Sequence, residues 1–85
     1  MIEKSVQVNL RAGLHARPAA LFVQAANRFS SEIVVEKAGK PVNAKSIMGI
    51  MSLAIAKGST VIIRANGSDE EQAVETLAEM ISREE

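Results

Sequence analysis

Gly13-Leu14-His15-Ala16-Arg17-Pro18-Ala19 joins two segments of different hydrophobic period, and so decides how the chain begins to fold. Before it, Ser5 to Leu10 alternates polar and apolar, with Val6, Val8 and Leu10 on one side, which predicts a half-buried strand. After it, Ala19, Phe22, Val23 and Ala26 recur at three- and four-residue spacing, which predicts an amphipathic helix from Ala16 to about Asn27. Pro18 falls in the first turn of that helix, where no intrahelical N–H bond is lost. Gly13 supplies backbone freedom just ahead of the junction. The junction also holds the chain's single histidine. A helix start offers unpaired N–H groups and the positive end of the peptide dipoles, so it favours a bound phosphate or carboxylate. In that setting His15 is a candidate nucleophile, and Arg17 is near enough in sequence to pair with an incoming phosphoryl group. Each also has an ordinary role, His15 as a capping or surface side chain and Arg17 as a solvated charge.

Outward from the junction the pattern keeps alternating between the two periods. Glu32 to Glu36 is short and β-branched, which predicts a second strand. Ala38-Gly39 turns it into a third around Lys40 to Val42, making a hairpin. Ser46 is an N-cap candidate for a short helix from Ile47 to about Leu53. Gly58 leads into a fourth strand, Thr60 to Ala65, and Asn66-Gly67 turns the chain. Ser68 followed by Glu71 reads as a capping box, with Ala73, Val74, Leu77, Ala78 and Ile81 as the apolar stripe of a last helix. The order β-α-β-β-α-β-α predicts an α+β two-layer open-faced sandwich, a four-stranded antiparallel sheet with three helices on one face. Residues 1–85 are expected to form a single domain.

Composition removes several function classes. Ten basic and ten acidic side chains cancel, and two Phe are the only aromatics, so direct nucleic-acid binding is not expected. Cysteine is absent, which leaves neither a disulfide framework nor thiolate chemistry and fits a cytoplasmic protein. One histidine among scattered carboxylates forms no metal-ligand cluster. No signal peptide or membrane span is expected. Asp69, Glu70, Glu71, Glu75 and Glu79 read as a solvated helix face, and no Ser-His-Asp set or close carboxylate pair suggests hydrolysis.

A second region carries chemistry of another kind. Ser46 is ordinarily only a cap; its alternative role is a phosphorylation site, where a phosphate at a helix N-terminus is tolerated and Lys45 alongside softens the charge. Ile47, Met48, Met51 and Leu53 are too many apolar residues for a helix this short to bury. Those left outside would make an adaptable contact surface.

The stretch Gly13 to Ala19 resembles the active-site motif of the HPr family, histidine-containing phosphocarriers of the bacterial phosphoenolpyruvate-dependent sugar phosphotransferase system. Lys45-Ser46-Ile47-Met48-Gly49, continuing through Leu53, resembles the regulatory serine motif of that family in Gram-positive bacteria. The resemblance covers about residues 2 to 84. It implies that enzyme I donates a phosphoryl group to Nδ1 of His15 and that EIIA domains of sugar permeases accept it. Arg17 would neutralise phosphoryl charge, and backbone N–H groups of Ala16 and Arg17 would be further donors. Ile47, Met48 and Met51 would form the apolar part of the docking face. It implies a monomeric carrier, not a self-contained enzyme, with no bound cofactor and no direct contact with DNA or membrane. At Ser46 it implies modification by an HPr kinase/phosphorylase, giving a poor acceptor from enzyme I and a corepressor for the catabolite-control transcription factor. Residues 18–24, 26–29 and 42–46 also resemble Crh, a regulatory paralogue that lacks the histidine and acts through its serine; His15 separates the carrier reading from that one. The resemblance further implies that His15 and Ser46 lie close in space.

Overall fold

In a computed structural model, which describes residues 1–83, the chain forms β1 (Ile2–Gln7), α1 (Ala16–Ala26), β2 (Glu32–Lys37), β3 (Lys40–Asn43), α2 (Ile47–Ser52), β4 (Thr60–Asn66) and α3 (Glu70–Ser82). The four strands make one antiparallel sheet in the order β1-β4-β2-β3. Along β4, Val61, Ile63 and Ala65 are buried while Ile62 and Arg64 are only half covered. This period-two alternation gives the sheet one face toward the helices and one toward solvent. On the open face, Arg64 bridges Glu3 of β1 at 2.9 Å and Glu36 of β2 at 2.8 Å, which fixes three neighbouring strands in register.

The helices close the other face. The α1 residues Ala19, Phe22 and Ala26 and the α3 residues Ala73, Val74, Leu77, Ala78 and Ile81 are buried against Val6, Ile33, Val35, Val61 and Ile63. Phe22 is fully buried and is the largest core side chain, in a core otherwise of Val, Ile, Leu and Ala. Each such large apolar side chain contributes about 1.5–3 kcal/mol through burial.

Two element boundaries differ from the sequence pattern, for physical reasons. The alternation at Val6, Val8 and Leu10 does continue into the core, yet β1 stops at Gln7 because β4, its only neighbour, begins opposite at Thr60. Val8 is instead held by loop bonds, donating to Ser59 at 2.8 Å and accepting from Gly58 at 2.7 Å. At the other end, α3 starts at Glu70 and not from a Ser68 cap. Asp69 occupies the cap position but makes no side-chain cap bond. Its carboxylate turns outward to accept from the backbone N–H groups of Ser30 at 2.9 Å and Ser31 at 3.0 Å, and from the Ser31 hydroxyl. These donors hold the Asp69 carboxyl down at about 2. Glu70 does the reaching back, accepting from Gly67 N–H at 3.1 Å. The Asp69 tie runs between segments far apart in sequence, so local spacing could not reveal it. No helix among the described residues is long and apolar enough to cross a membrane.

Candidate functional site

The α1 start is built from the loop that precedes it. Leu14 is buried and its N–H donates to Ile55 at 3.0 Å, anchoring the residue next to His15. Gly13 makes that approach possible. Its φ is +71°, and a Cβ there would fall 2.8 Å from Ala56 Cα. With Leu14 turned inward, His15 is left exposed as the N-cap residue of α1, in extended conformation at φ −86° and ψ −169°. Its carbonyl accepts from Ala19 N–H at 2.8 Å, but its imidazole makes no cap bond.

The first turn therefore has an unusual inventory. Ala16, Arg17 and Pro18 are its first three residues. An α-helix gives their N–H groups no internal acceptor, and Pro18 has no N–H to offer. The remaining donors belong to Ala16 and Arg17, the two residues that follow His15. Arg17 is exposed and, among the described residues, makes no salt bridge. It stands at the rim of a cavity of about 200 Å³ lined by Leu10, Leu14, Pro18, Leu21 and Met80. Leu21 is 50% exposed and was not singled out by the sequence pattern. Its position one turn beyond Arg17 and off the apolar stripe is the signal that marks it. Chemically the arrangement is an exposed imidazole, two first-turn N–H donors and a guanidinium without a salt bridge among the described residues, at the positive end of a helix.

The α2 start is built differently. Ser46 is its N-cap, with φ −111° and ψ 117°, and its hydroxyl accepts from Gly49 N–H at 3.1 Å. Ser46 is half-buried, and its own N–H donates to Asn43 at 3.1 Å. Buried Ile50 and Leu53 anchor the helix, while Ile47, Met48 and Met51 stay 41%, 80% and 43% exposed. Lys45 does not lie along the Ser46 hydroxyl: its ammonium donates to the Phe29 carbonyl at 2.6 Å.

His15 and Ser46 sit at opposite ends of α1. The Asn27 amide, at the α1 C-cap, donates to Val23 at 2.9 Å and to the Lys45 carbonyl at 3.3 Å, tying the residue before Ser46 to that end. The eleven residues of α1 make a helix about 16 Å long. A cavity of about 610 Å³ between β1 and α3 includes no residue of either helix start in its lining, which holds Lys4 and Glu75, paired at 3.5 Å. Among the described residues no group of His, Asp and Glu is placed to hold a metal ion.

Residues 2–83 match the family described as PTS HPr component phosphorylation site. The chain belongs to the HPr family. HPr proteins are phosphocarriers of the phosphotransferase system. A curated relative, HPr-like protein Crh of Halalkalibacterium halodurans, is 62% identical over 84 residues, covering 99% of this chain and all of its own length. Among solved structures, the phosphocarrier protein HPr of Bacillus anthracis superposes with a TM-score of 0.93 at 62% identity, over 94% of this chain and 95% of that one. The Bacillus subtilis Crh structure, described as a domain-swapped dimer, is 57% identical with a TM-score of 0.75, over 94% of this chain and 92% of that one. The sandwich expected from the strand and helix order is thus the architecture of the HPr fold.

Proposed function

We propose that this HPr-family protein carries a phosphoryl group on Nδ1 of His15, taken from enzyme I and handed to EIIA domains of sugar permeases. The observation that carries the reading is the open start of α1, where His15 is exposed, unused as a cap, and directly precedes the first-turn residues Ala16 and Arg17. Phosphoryl transfer in flight needs positioning and charge stabilisation more than a general base. Arg17 and the two N–H groups supply the charge stabilisation; the partner supplies the rest. The protein is then a stoichiometric carrier in the cytoplasm, neither a self-contained enzyme nor a cofactor protein.

Ile47, Met48 and Met51 form the apolar part of the docking face, and Ser46 is its switch. A phosphate on Ser46, added by an HPr kinase/phosphorylase, acts on the partner that docks here, since the Asn27–Lys45 tie holds this serine toward the C-terminal end of α1 and His15 is the N-cap residue at the other end. New negative charge in this face repels acidic partner surfaces and slows the approach of enzyme I.

A second reading is favoured by the 62% identity to a protein named Crh. In it the protein serves mainly as a phospho-Ser46 corepressor, bound by the catabolite-control transcription factor. The two readings separate in one experiment with labelled phosphoenolpyruvate and enzyme I. Acid-labile label on the wild type, absent from His15→Ala, supports the carrier. No label, together with tight binding of Ser46-phosphorylated protein to the transcription factor, supports the regulator.

A further inference from the structure

The six residues of α2 are too few to hold a helix by their own hydrogen bonds, so the docking surface they carry must be held from outside. The N-terminal end is held by Ser46. The C-terminal end exposes carbonyls with no internal donor. There the chain leaves through Leu53, the C-cap, and then Ala54, which has φ +48°. Glycine is the usual residue for such a left-handed exit, because a Cβ makes it unfavourable. An alanine in that position needs support from its surroundings.

The support comes from the far end of β2. Lys37, half-buried and the last residue of that strand, sends its ammonium to the Leu53 carbonyl at 3.1 Å and the Ala54 carbonyl at 2.9 Å. A cation at a helix C-terminus is favoured by the peptide dipoles, and here it donates to the carbonyls of the strained turn itself. Lys37 is in turn fixed by pairing with Lys40 across the Ala38-Gly39 turn. The sheet thereby grips α2 at the end opposite Ser46.

We propose that Lys37 is a positioning residue for the α2 docking surface: by holding the Leu53–Ala54 turn it keeps Ile47, Met48 and Met51 preorganised for a protein partner. Lys37 needs no contact with the partner for this. Its effect is to reduce the ordering that docking would otherwise demand, so its loss weakens binding and leaves the transfer step alone. The proposal rests on the carrier reading for its kinetic readout, but not for its structural one.

The test uses Lys37→Met, which keeps the stem and removes the donors, with Lys37→Arg as the conservative variant. In transfer from enzyme I, Lys37→Met is expected to raise KM for this protein about fivefold with kcat close to wild type. Lys37→Arg restores KM to within about twofold, because its donors reach the same carbonyls. Ala54→Gly in the Lys37→Met background also recovers most of the loss, since glycine holds the turn unaided. Amide exchange supplies the second readout. Protection of Leu53 and Ala54, whose N–H groups donate to Ile50 and Met51, falls in Lys37→Met while that of Ile63 in β4 is unchanged. An unchanged KM, or a kcat loss without a KM change, overturns the proposal. Loss of protection spread evenly over the sheet also overturns it, because Lys37 would then be a stability residue only. A wild type that accepts no phosphoryl group from enzyme I overturns the carrier reading and the docking role with it, and the exchange pattern then decides separately whether Lys37 holds α2.

Discussion

The starts of α1 and α2 solve the same problem in opposite ways. At α2 the Ser46 hydroxyl closes the end by accepting from Gly49 N–H. At α1 the cap position is filled by His15, whose side chain closes nothing, and the exposed donors of Ala16 and Arg17 are left to an incoming group. A capping preference that holds at α2 and is broken at α1 leaves the α1 start with donors available to an outside group. The third start, at α3, shows that a missing cap bond alone is not enough. There Asp69 also caps nothing, but its carboxylate is consumed by Ser30 and Ser31, and no reactive group is left free.

The contrast can be broken most severely by making α1 resemble α2. His15→Asp is expected to abolish acid-labile phosphorylation from enzyme I, and to raise stability by about 1 kcal/mol as its carboxylate caps Arg17 N–H. Thermal unfolding and label transfer check the two halves together; a destabilised variant would contradict the description of α1 as uncapped. Next in size, Arg17→Ala should slow transfer about 100-fold through loss of charge stabilisation, with an unchanged melting temperature. Ser46→Asp should slow transfer about tenfold through the docking face, and more so at low salt. Rates independent of ionic strength would point away from repulsion.

Asp69 sharpens the comparison through pH. Its carboxyl is held at about 2, below the ordinary 3.8, so the folded state binds its proton less readily than the unfolded chain. The stabilisation is therefore present in full above the unfolded value and is lost as pH falls through about 2. Asp69→Asn should melt below wild type at pH 7, and the gap should close progressively between about pH 4 and pH 2. The smallest effect is expected of Ser46→Ala, about 1 kcal/mol, read as faster exchange of Gly49 N–H.

The sequence made the strands and helices legible because β-branched runs such as Val61-Ile62-Ile63 and the stripe Ala73, Val74, Leu77, Ala78, Ile81 carry their period locally. Ser46 was legible as a cap for the same reason. What was not legible depends on contacts across the chain. β1 stops at Gln7 because its neighbour ends, α3 starts late because Asp69 is drawn to Ser31, and Lys37 supports α2 from another strand. Lys45 illustrates the limit at the site itself, since adjacency in sequence suggested Ser46 and the fold gives it to Phe29. The candidate set of His15 and Arg17 needed no such contact, as the two stand at the N-cap and in the first turn of one helix.

The central claim is that the open start of α1 receives the phosphoryl group, and amide chemical shifts before and after phosphorylation by enzyme I and phosphoenolpyruvate test it most directly. The account predicts that the largest changes fall on the Ala16 and Arg17 amides and the His15 ring, with Gly49 and its Ser46 acceptor little moved. Shifts centred on Ser46 and Gly49, or a phosphorylated protein whose Ala16 and Arg17 amides do not move, would contradict it.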